Sequence, residues 1–546
     1  MKRILVLFVL LFVGNCFGQT PNWVWGRQAM GTSSQEGLSV ATDVSGNVYA
    51  TGTLGISTGT TMIFDTTTLI DTGLNDIFIV KYDSNGNRLW AKRIGGSGIE
   101  VANSIATDFH GNVYLAGYFA SSTISFDTII LTNTGSDDIF LAKYDSNGNV
   151  LWAKSATGNN SDIGYSVTTD VQGNVYLGGM FYSPTITFDT ITVTNTGGWD
   201  MLIVKYDENG NPLWAKSANG NNTDVVYSIA TDTSSNVYVT GYFASTTLVF
   251  GTYTLTNMGG ADIFIVKYDK NGNVIWGKSE GGSASEAGNS IATDETGVYL
   301  TGYFNSPTII FGSTTLTNSG SNDMYIAKYS QAGTVLWANS AGGNGIDNGY
   351  GVSTNTSGIY LTGGFKSSKI IFGLDTLLFP TGATDPMFLI KYDINGNVIC
   401  ASSLASGGDD VCAVATDGFG NVYIAGDFEG ANTFIIGADI LTESSGELFF
   451  IAKYNCNSTT VPVNELTNPE SLSLYPNPAN TSFTIESTNK IQSITVINVI
   501  GEVVSTSSPN GNSKTTIDLT RVAKGIYFVQ ITDENKTVEN KKIVVQ

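Results

Sequence analysis

Ser104-Ile105-Ala106-Thr107-Asp108-Phe109-His110-Gly111-Asn112-Val113-Tyr114, followed by Asp138-Ile139-Phe140-Leu141-Ala142-Lys143-Tyr144-Asp145-Ser146-Asn147-Gly148-Asn149-Val150-Leu151-Trp152, decides the fold. Each half places two apolar stretches around a Gly-Asn or Asn-Gly turn. Such residues tolerate the positive φ of tight turns, so each half reads as a β-hairpin. The predicted strands are Asn103 to Asp108, Asn112 to Phe119, Asp138 to Asp145 and Val150 to Ser155. The 18 residues between the second and third strands, Ala120 to Asp137, carry an Ile-Ser-Phe-Asp-Thr-Ile-Ile-Leu pattern that predicts an extra hairpin.

This unit repeats. A Lys-Tyr string places its tyrosine at Tyr82, Tyr144, Tyr206, Tyr268, Tyr329, Tyr392 and Tyr454. A second string, of the type Asn-Val-Tyr-Leu-Thr-Gly, places its tyrosine at Tyr49, Tyr114, Tyr176, Tyr238, Tyr299, Tyr360 and Tyr423. Both series count seven. Four antiparallel strands per unit, repeated at a fixed period, predict an all-β, seven-bladed β-propeller. The fourth strand carries Trp90, Trp152, Trp214, Trp276 and Trp337, with Cys400 in the sixth place and no such strand after Tyr454. Asn22-Trp23-Val24-Trp25-Gly26 stands alone near the N-terminus, with Trp25 about one repeat before Trp90. It predicts the missing outer strand of the seventh blade, which would leave no open edge between first and last blades.

The pattern Ser-Ile-Ala-Thr-Asp-x-x-Gly-Asn-Val-Tyr, then Asp-Ile-Phe-x-x-Lys-Tyr-Asp-x-Asn-Gly-Asn-x-x-Trp, resembles the SBBP-type bacterial β-propeller repeat. That resemblance implies a propeller and no single activity. Departures come late: Ser330 and Asn355 replace turn aspartates, and Cys400 replaces a tryptophan.

The two ends carry different signals. Lys2 and Arg3, the apolar run Ile4 to Val13 and the small Gly18 read as a secretory signal peptide over residues 1–18. The propeller is expected over 19–456, a polar linker over 457–467 and an independent β-domain over 468–546. Six or seven short alternating strands there predict a small sandwich. Tyr475-Pro476-Asn477-Pro478, then Gly525-Ile526-Tyr527 and the terminal Lys542-Ile543-Val544-Val545, resemble the C-terminal sorting domain of the type IX secretion system of Bacteroidetes. The resemblance implies an Ig-like sandwich whose partner is the export machinery, and a secreted or outer-membrane surface-attached product.

The formal charge is −21, while residues 461–546 hold eight acids and seven bases, so the excess belongs to the propeller. An acidic surface repels phosphate backbones, which argues against nucleic-acid binding. No mature membrane span is expected, because ten apolar residues are too few to cross a bilayer. Cys400, Cys412 and Cys456 lie late in the propeller, and an oxidising compartment favours one bridge, either Cys400 with Cys412 or Cys412 with Cys456.

Catalytic signals are sparse. The lone histidine, His110, falls in a hairpin turn, and no nucleophile–base pair recurs. An acid recurs eight residues before the first-hairpin Asp: Glu100, Asp162, Asp224, Glu286, Asp347 and Asp409, with Gln35 in the first unit. A second set precedes the third strand: Asp76, Asp138, Asp200, Asp262 and Asp323, with Asp385 and Glu447 offset by one. The first set either forms a ligand-facing acidic ring or caps backbone N–H groups at each blade junction. The Asp83-Ser84-Asn85-Gly86-Asn87 hairpin and its copies read as Asx turns, with calcium loops as the alternative; no cofactor is expected. These features predict a non-enzymatic binding or adhesion module for an extracellular glycan or protein. The alternatives are a carboxylate-based hydrolase or lyase acting on carbohydrate, and a scaffold without a specific ligand.

Overall fold

The computed structural model describes residues 22–32, 34–55, 58–380, 385–404, 413–428, 433–436, 439–442, 446–455, 472–498, 503–509, 511–520, 522–534 and 538–546. The chain divides into two compact units, residues 1–457 and 458–546. The expected signal peptide (1–18) and linker (457–467), with Asp409, Cys412 and Cys456, lie outside the described residues. Every regular element described is a strand.

Among the described residues the first unit contains seven four-stranded antiparallel sheets. The second repeat shows the pattern. Its strands are Glu100–Thr107, Val113–Phe119, Asp138–Tyr144 and Val150–Ser155, paired in that order. The first strand begins three residues earlier than its sequence suggests, because Glu100 pairs with Phe119 at the far end of the hairpin. The two middle strands are buried on both faces, so they read as continuous apolar runs rather than alternating ones.

The first strands of the seven sheets pack side by side in chain order, and Ala413–Thr416 of the seventh packs on Gln35–Thr42 of the first. Seven apolar cores result, each shared by two neighbouring sheets. One combines Tyr49, Ile77 and Ile79 of the first sheet with Leu115, Phe119 and Phe140 of the second. Another joins the seventh and first, through Phe449, Ile451 and Tyr423 against Val48, Ala50 and Phe78. The cycle is closed, which is a β-propeller.

Asn22–Gln28 pairs antiparallel with Leu448–Asn455 as the outer strand of the last sheet, as the N-terminal tryptophans predict. Trp25 takes the tryptophan's place there. In regular junctions the indole and the Lys-Tyr lysine of one sheet donate to the same carbonyl in the next sheet's outer turn. Trp90 Nε1 and Lys81 Nζ both reach Ser146 O, at 3.2 and 2.9 Å. At the closure, Trp25 Nε1 and Lys453 Nζ both reach Ser84 O, at 3.2 and 3.0 Å. Gly86 beside it holds φ at +80°, and a Cβ there would stand 2.8 Å from the Trp25 ring. Conformation and space both demand glycine at that turn.

The expected extra hairpin exists, for example Thr123–Phe126 with Ile129–Thr132. It packs on the outer strands at the perimeter, with Ile124 and Phe126 fully buried, rather than standing free as a ligand loop. The second unit has a three-stranded sheet (Leu472–Tyr475, Ser482–Ser487, Lys514–Asp518) and a four-stranded sheet. Phe483, Ile485 and Ile517 of one meet Ile494, Val496, Val529 and Ile543 of the other in a single core.

Candidate functional site

Five of the six acids of the first recurring set are described, and all five are spent on the fold. Glu100, Asp162, Asp224, Glu286 and Asp347 are at most 1% exposed. Each spends its carboxylate on its own junction. Asp162 accepts from the backbone N–H groups of Tyr182 and Ser183 at 3.1 Å and from Ser183 Oγ at 2.7 Å. Asp347 accepts from Gly343 N at 2.8 Å and Ser367 Oγ at 2.6 Å, and Glu286 from Gly282 N and Ser306 N. Asp224 accepts from Ser245 N and Oγ, and Glu100 from Gly96 N and Ser121 Oγ. The ligand-facing ring is therefore corrected: these side chains point inward, to N–H groups that the turn between sheets leaves unpaired. Burial pushes Asp162 and Asp224 up to about 6.

The second set is buried as well. Asp76, Asp138, Asp200, Asp262 and Asp323 each accept a backbone N–H four residues earlier, as from Thr134 N to Asp138 at 2.8 Å. Their Oδ1 atoms are buried without a hydrogen-bond partner. Burial raises Asp262 and Asp323 to about 6. Asp385 pairs instead with Lys366 at 2.6 Å, and Glu447 accepts from Ser34 Oγ. His110 sits exposed in its turn against Phe109, with ring centroids 3.8 Å apart. Among the described residues no group of three or more His, Cys, Asp or Glu side chains is placed to hold a metal.

The outer turns cap themselves. Asp83 Oδ1 accepts from Asn85 N and Asn87 N at 2.9 Å, and Oδ2 from Asn87 Nδ2 at 2.8 Å. The inner turns do the same and add a buried triad. Asp43 Oδ2 accepts from Asn47 Nδ2 and Tyr49 OH, while Lys81 Nζ lies 3.9 Å away and 4.9 Å above the Tyr49 ring. The lysine of each Lys-Tyr string thus lies over the tyrosine of the Asn-Val-Tyr string, and in the first four sheets it also stands within 4 Å of the inner turn's aspartate, which spacing alone did not reveal.

A large cleft opens on the opposite face from the acids, where the hairpins lie. It encloses about 960 Å³ between the inner turns of the fourth, fifth and sixth sheets. Three irregularities meet there. In the fourth sheet Tyr238 stands six positions after Asp232, the regular spacing. In the fifth Tyr299 stands only five positions after Asp294, and the turn shrinks to Glu295-Thr296. The sixth turn shrinks likewise to Thr356-Ser357, with Asn355 for the aspartate. The third irregularity is Gln331, in the outer turn of the fifth sheet, where Ser330 replaces the turn aspartate. Its Nε2 donates to Asp294 O at 3.1 Å, and its main-chain and side-chain oxygens accept from Lys267 Nζ at 3.1 and 3.4 Å. Asn355 Oδ1 accepts from Ser357 N and Oγ at 2.8 and 2.9 Å, and its Nδ2 is buried with no partner. Ile359, Ile394 and Ile399 line the apolar part. Sequence comparison of the turns shows the shortened hairpins, but not that adjacent short turns enclose a cavity.

In the second unit the motif residues hold the C-terminal strand. Asn477 Nδ2 donates to Lys542 O at 2.8 Å, and Val544 N donates to Asn477 Oδ1 at 3.0 Å. Tyr475 OH donates to Glu486 Oε2 at 2.6 Å, and Tyr527 OH to Ala523 O at 2.8 Å. Tyr475-Pro476 and Asn477-Pro478 are cis, and Gly525 pairs with Val545.

Cys400 is disulfide-bonded, and the other cysteine lies outside the described residues.

Among known proteins, the chain is similar to the WD repeat-containing protein L264 of Acanthamoeba polyphaga mimivirus, 27% identical over 430 residues, covering 64% of this chain and 31% of that protein. It is 23% identical over 368 residues to the regulatory protein FlaEY of Caulobacter vibrioides, covering 61% of this chain and 37% of that protein. The chain thus spans about a third of the length of these relatives. Among solved structures it is similar to the WD40 β-propeller domain of Doa1, at 10% identity and a TM-score of 0.39, covering 80% of this chain and 97% of that one. Residues 89–118 and 214–242 match the beta-propeller repeat, and residues 473–546 match the secretion system C-terminal sorting domain. The chain carries SBBP-type β-propeller repeats followed by a type IX C-terminal sorting domain.

Proposed function

We propose that this chain is a secreted or surface-attached, seven-bladed β-propeller that binds an extracellular ligand without turning it over, delivered by an Ig-like sorting domain. The cleft between the fourth, fifth and sixth inner turns carries the reading. A feature repeated in every blade serves the fold, whereas this cavity lies where the repeat departs from itself. Its volume falls in the range of small-molecule and short-polymer sites.

The carboxylates argue against a hydrolase. A general acid and base need carboxyls that reach substrate, and the recurring acids are consumed by backbone groups inside the junctions. We read the Asx turns as self-capped and assign no cofactor. Calcium bound there would stabilise the protein by mass action, so an unchanged melting midpoint in EDTA is expected.

The test uses the full secreted chain on arrays of glycans and peptides, with a polymer-hydrolysis screen alongside. Binding that disappears when Thr356→Trp fills the cleft, with no turnover of any polymer, is the expected result. Turnover, or binding indifferent to that variant, overturns the reading.

A further inference from the structure

We propose that the cleft takes a short segment of a neutral, polyhydroxylated chain, a glycan carrying no formal charge; this rests on the reading of the cleft as the binding site. Four observations about its lining converge on that class.

The first is charge. The buried ions around the cleft are satisfied from within. Asp232 accepts from Ser234 N, Asn236 N, Asn236 Nδ2 and Tyr238 OH, and pairs with Lys267 at 3.6 Å. Asp294 accepts from Thr296, Tyr299 and Thr354. Lys328 donates to Thr296 Oγ1 and Ile394 O, and lies 5.1 Å above the Tyr299 ring. Asp393 is held by its own turn. Buried charges already paired leave a charged ligand nothing to gain, and Glu295, exposed at its turn, is screened by water and attracts a cation weakly.

The second is hydroxyl chemistry. Thr233 and Ser234 stand exposed on the fourth sheet's side of the opening and Thr356 on the sixth's. A hydroxyl both donates and accepts, which matches a sugar hydroxyl in either role. The third is the apolar part. Ile394 is 49% exposed at the cleft and presents C–H groups of the kind that cover the apolar face of a sugar ring. The fourth is Asn355 Nδ2. Asn355 lines the cleft but its Nδ2 is closed off without an acceptor; a side-chain rotation on binding turns it to a ring or hydroxyl oxygen, which relieves the cost of the unpaired donor without bringing charge.

The experiment titrates the full secreted chain with three sets of probes: neutral oligosaccharides, uronate-containing oligosaccharides, and basic peptides. Three variants accompany it. Thr356→Trp and Ser234→Trp fill the cleft from different sheets. Asn355→Asp restores the residue that most other repeats carry at this place, so the turn keeps its chemistry while the unpaired donor is lost. The expected result is saturable binding of a neutral oligosaccharide, abolished by either tryptophan and weakened about tenfold, about 1.4 kcal/mol, by Asn355→Asp at unchanged melting temperature. Binding confined to uronates or to basic peptides, yet abolished by both tryptophans, overturns the neutral class and leaves the cleft standing as the binding site. Binding that neither tryptophan affects overturns both. Neutral-glycan binding that Asn355→Asp leaves unchanged overturns the role given to the unpaired amide.

Discussion

Replacing Trp25 by alanine isolates the closure of the ring. Trp25 is 4% exposed and packs between Tyr82 of the first sheet and Tyr423 of the seventh, with ring centroids 6.3 and 6.0 Å away. Truncating a buried tryptophan costs about 3–5 kcal/mol. Loss of the bond to Ser84 O adds at most about 1 kcal/mol, because Lys453 Nζ still satisfies that oxygen. Unfolding entropy of about 2.1 cal/mol/K per residue, over roughly 430 residues, converts about 3–6 kcal/mol into a fall of about 3–7 °C. Trp152→Ala is the internal control. It makes the same bond, to Glu208 O at 3.1 Å, but its ring is half-buried and lies inside a covalently continuous run of sheets. Its fall should be smaller. Calorimetry of the two variants beside the parent gives the answer. If Trp25→Ala melts within about 1 °C of the parent while Trp152→Ala does not, the N-terminal strand contributes nothing to closure and the reasoning fails.

Four further outcomes follow from the same contacts. Asp162, Asp224, Asp262 and Asp323 have folded pKa values raised to about 6 by burial, so the folded state holds their protons more tightly than the unfolded chain does at about 3.9. Their contribution is complete below about 3.9 and is lost as pH rises through about 6, so the melting temperature should climb on acidification from pH 7 towards 4. Below that, Asp83, Asp145 and Asp207 oppose it: burial raises them slightly, but hydrogen bonds from their turns lower them more, and that stability disappears as they protonate. A melting temperature that falls steadily from pH 7 to 4 would contradict the assignment. Reducing the disulfide of Cys400 should cost about 2–4 kcal/mol, seen as an earlier denaturation midpoint in dithiothreitol than without it. Removing residues 473–546 should leave the propeller inside the cell envelope, read by fractionation; appearance in the medium at the parental level would refute a sorting role. Asn477→Ala should destabilise the second unit by about 1–3 kcal/mol, since it removes two bonds to the last strand, and proteolytic susceptibility of that strand measures it.

Much of the fold was legible because one unit is written seven times. Hairpin turns, strand order and the N-terminal closing strand all follow from residue types at fixed spacing. The acids misled in one respect. A carboxylate in six of seven repeats looks like a ring around an axis, yet burial and backbone partners place the five described ones inside junctions. Composition cannot tell an inward acid from an outward one. The sixth tryptophan shows the reverse: its absence has a structural cause. Each tryptophan docks on the outer turn of the next sheet, and the seventh sheet has no such turn, since its outer strand comes from the other end of the chain. Cys400 occupies the place beside Tyr454, with Sγ 3.4 Å from the phenol oxygen, and Trp23 packs on the same phenol ring at 4.8 Å. The cleft was the least legible, because it depends on three shortened or altered turns becoming neighbours.

The pairing of Asn22–Gln28 with Leu448–Asn455 also sets an order of events. This strand is made before every other strand of the propeller and finds its partner last, more than 400 residues later. Until then the seventh sheet has an unpaired edge, and the first-made strand has nowhere to go. The ring therefore behaves as a clasp whose two halves sit at opposite ends of the propeller. Truncation at either end of the propeller leaves the same open sheet, so a prematurely terminated chain should be marked for aggregation or proteolysis by its missing last strand. Completion of the circle is then a check that the whole propeller has been made.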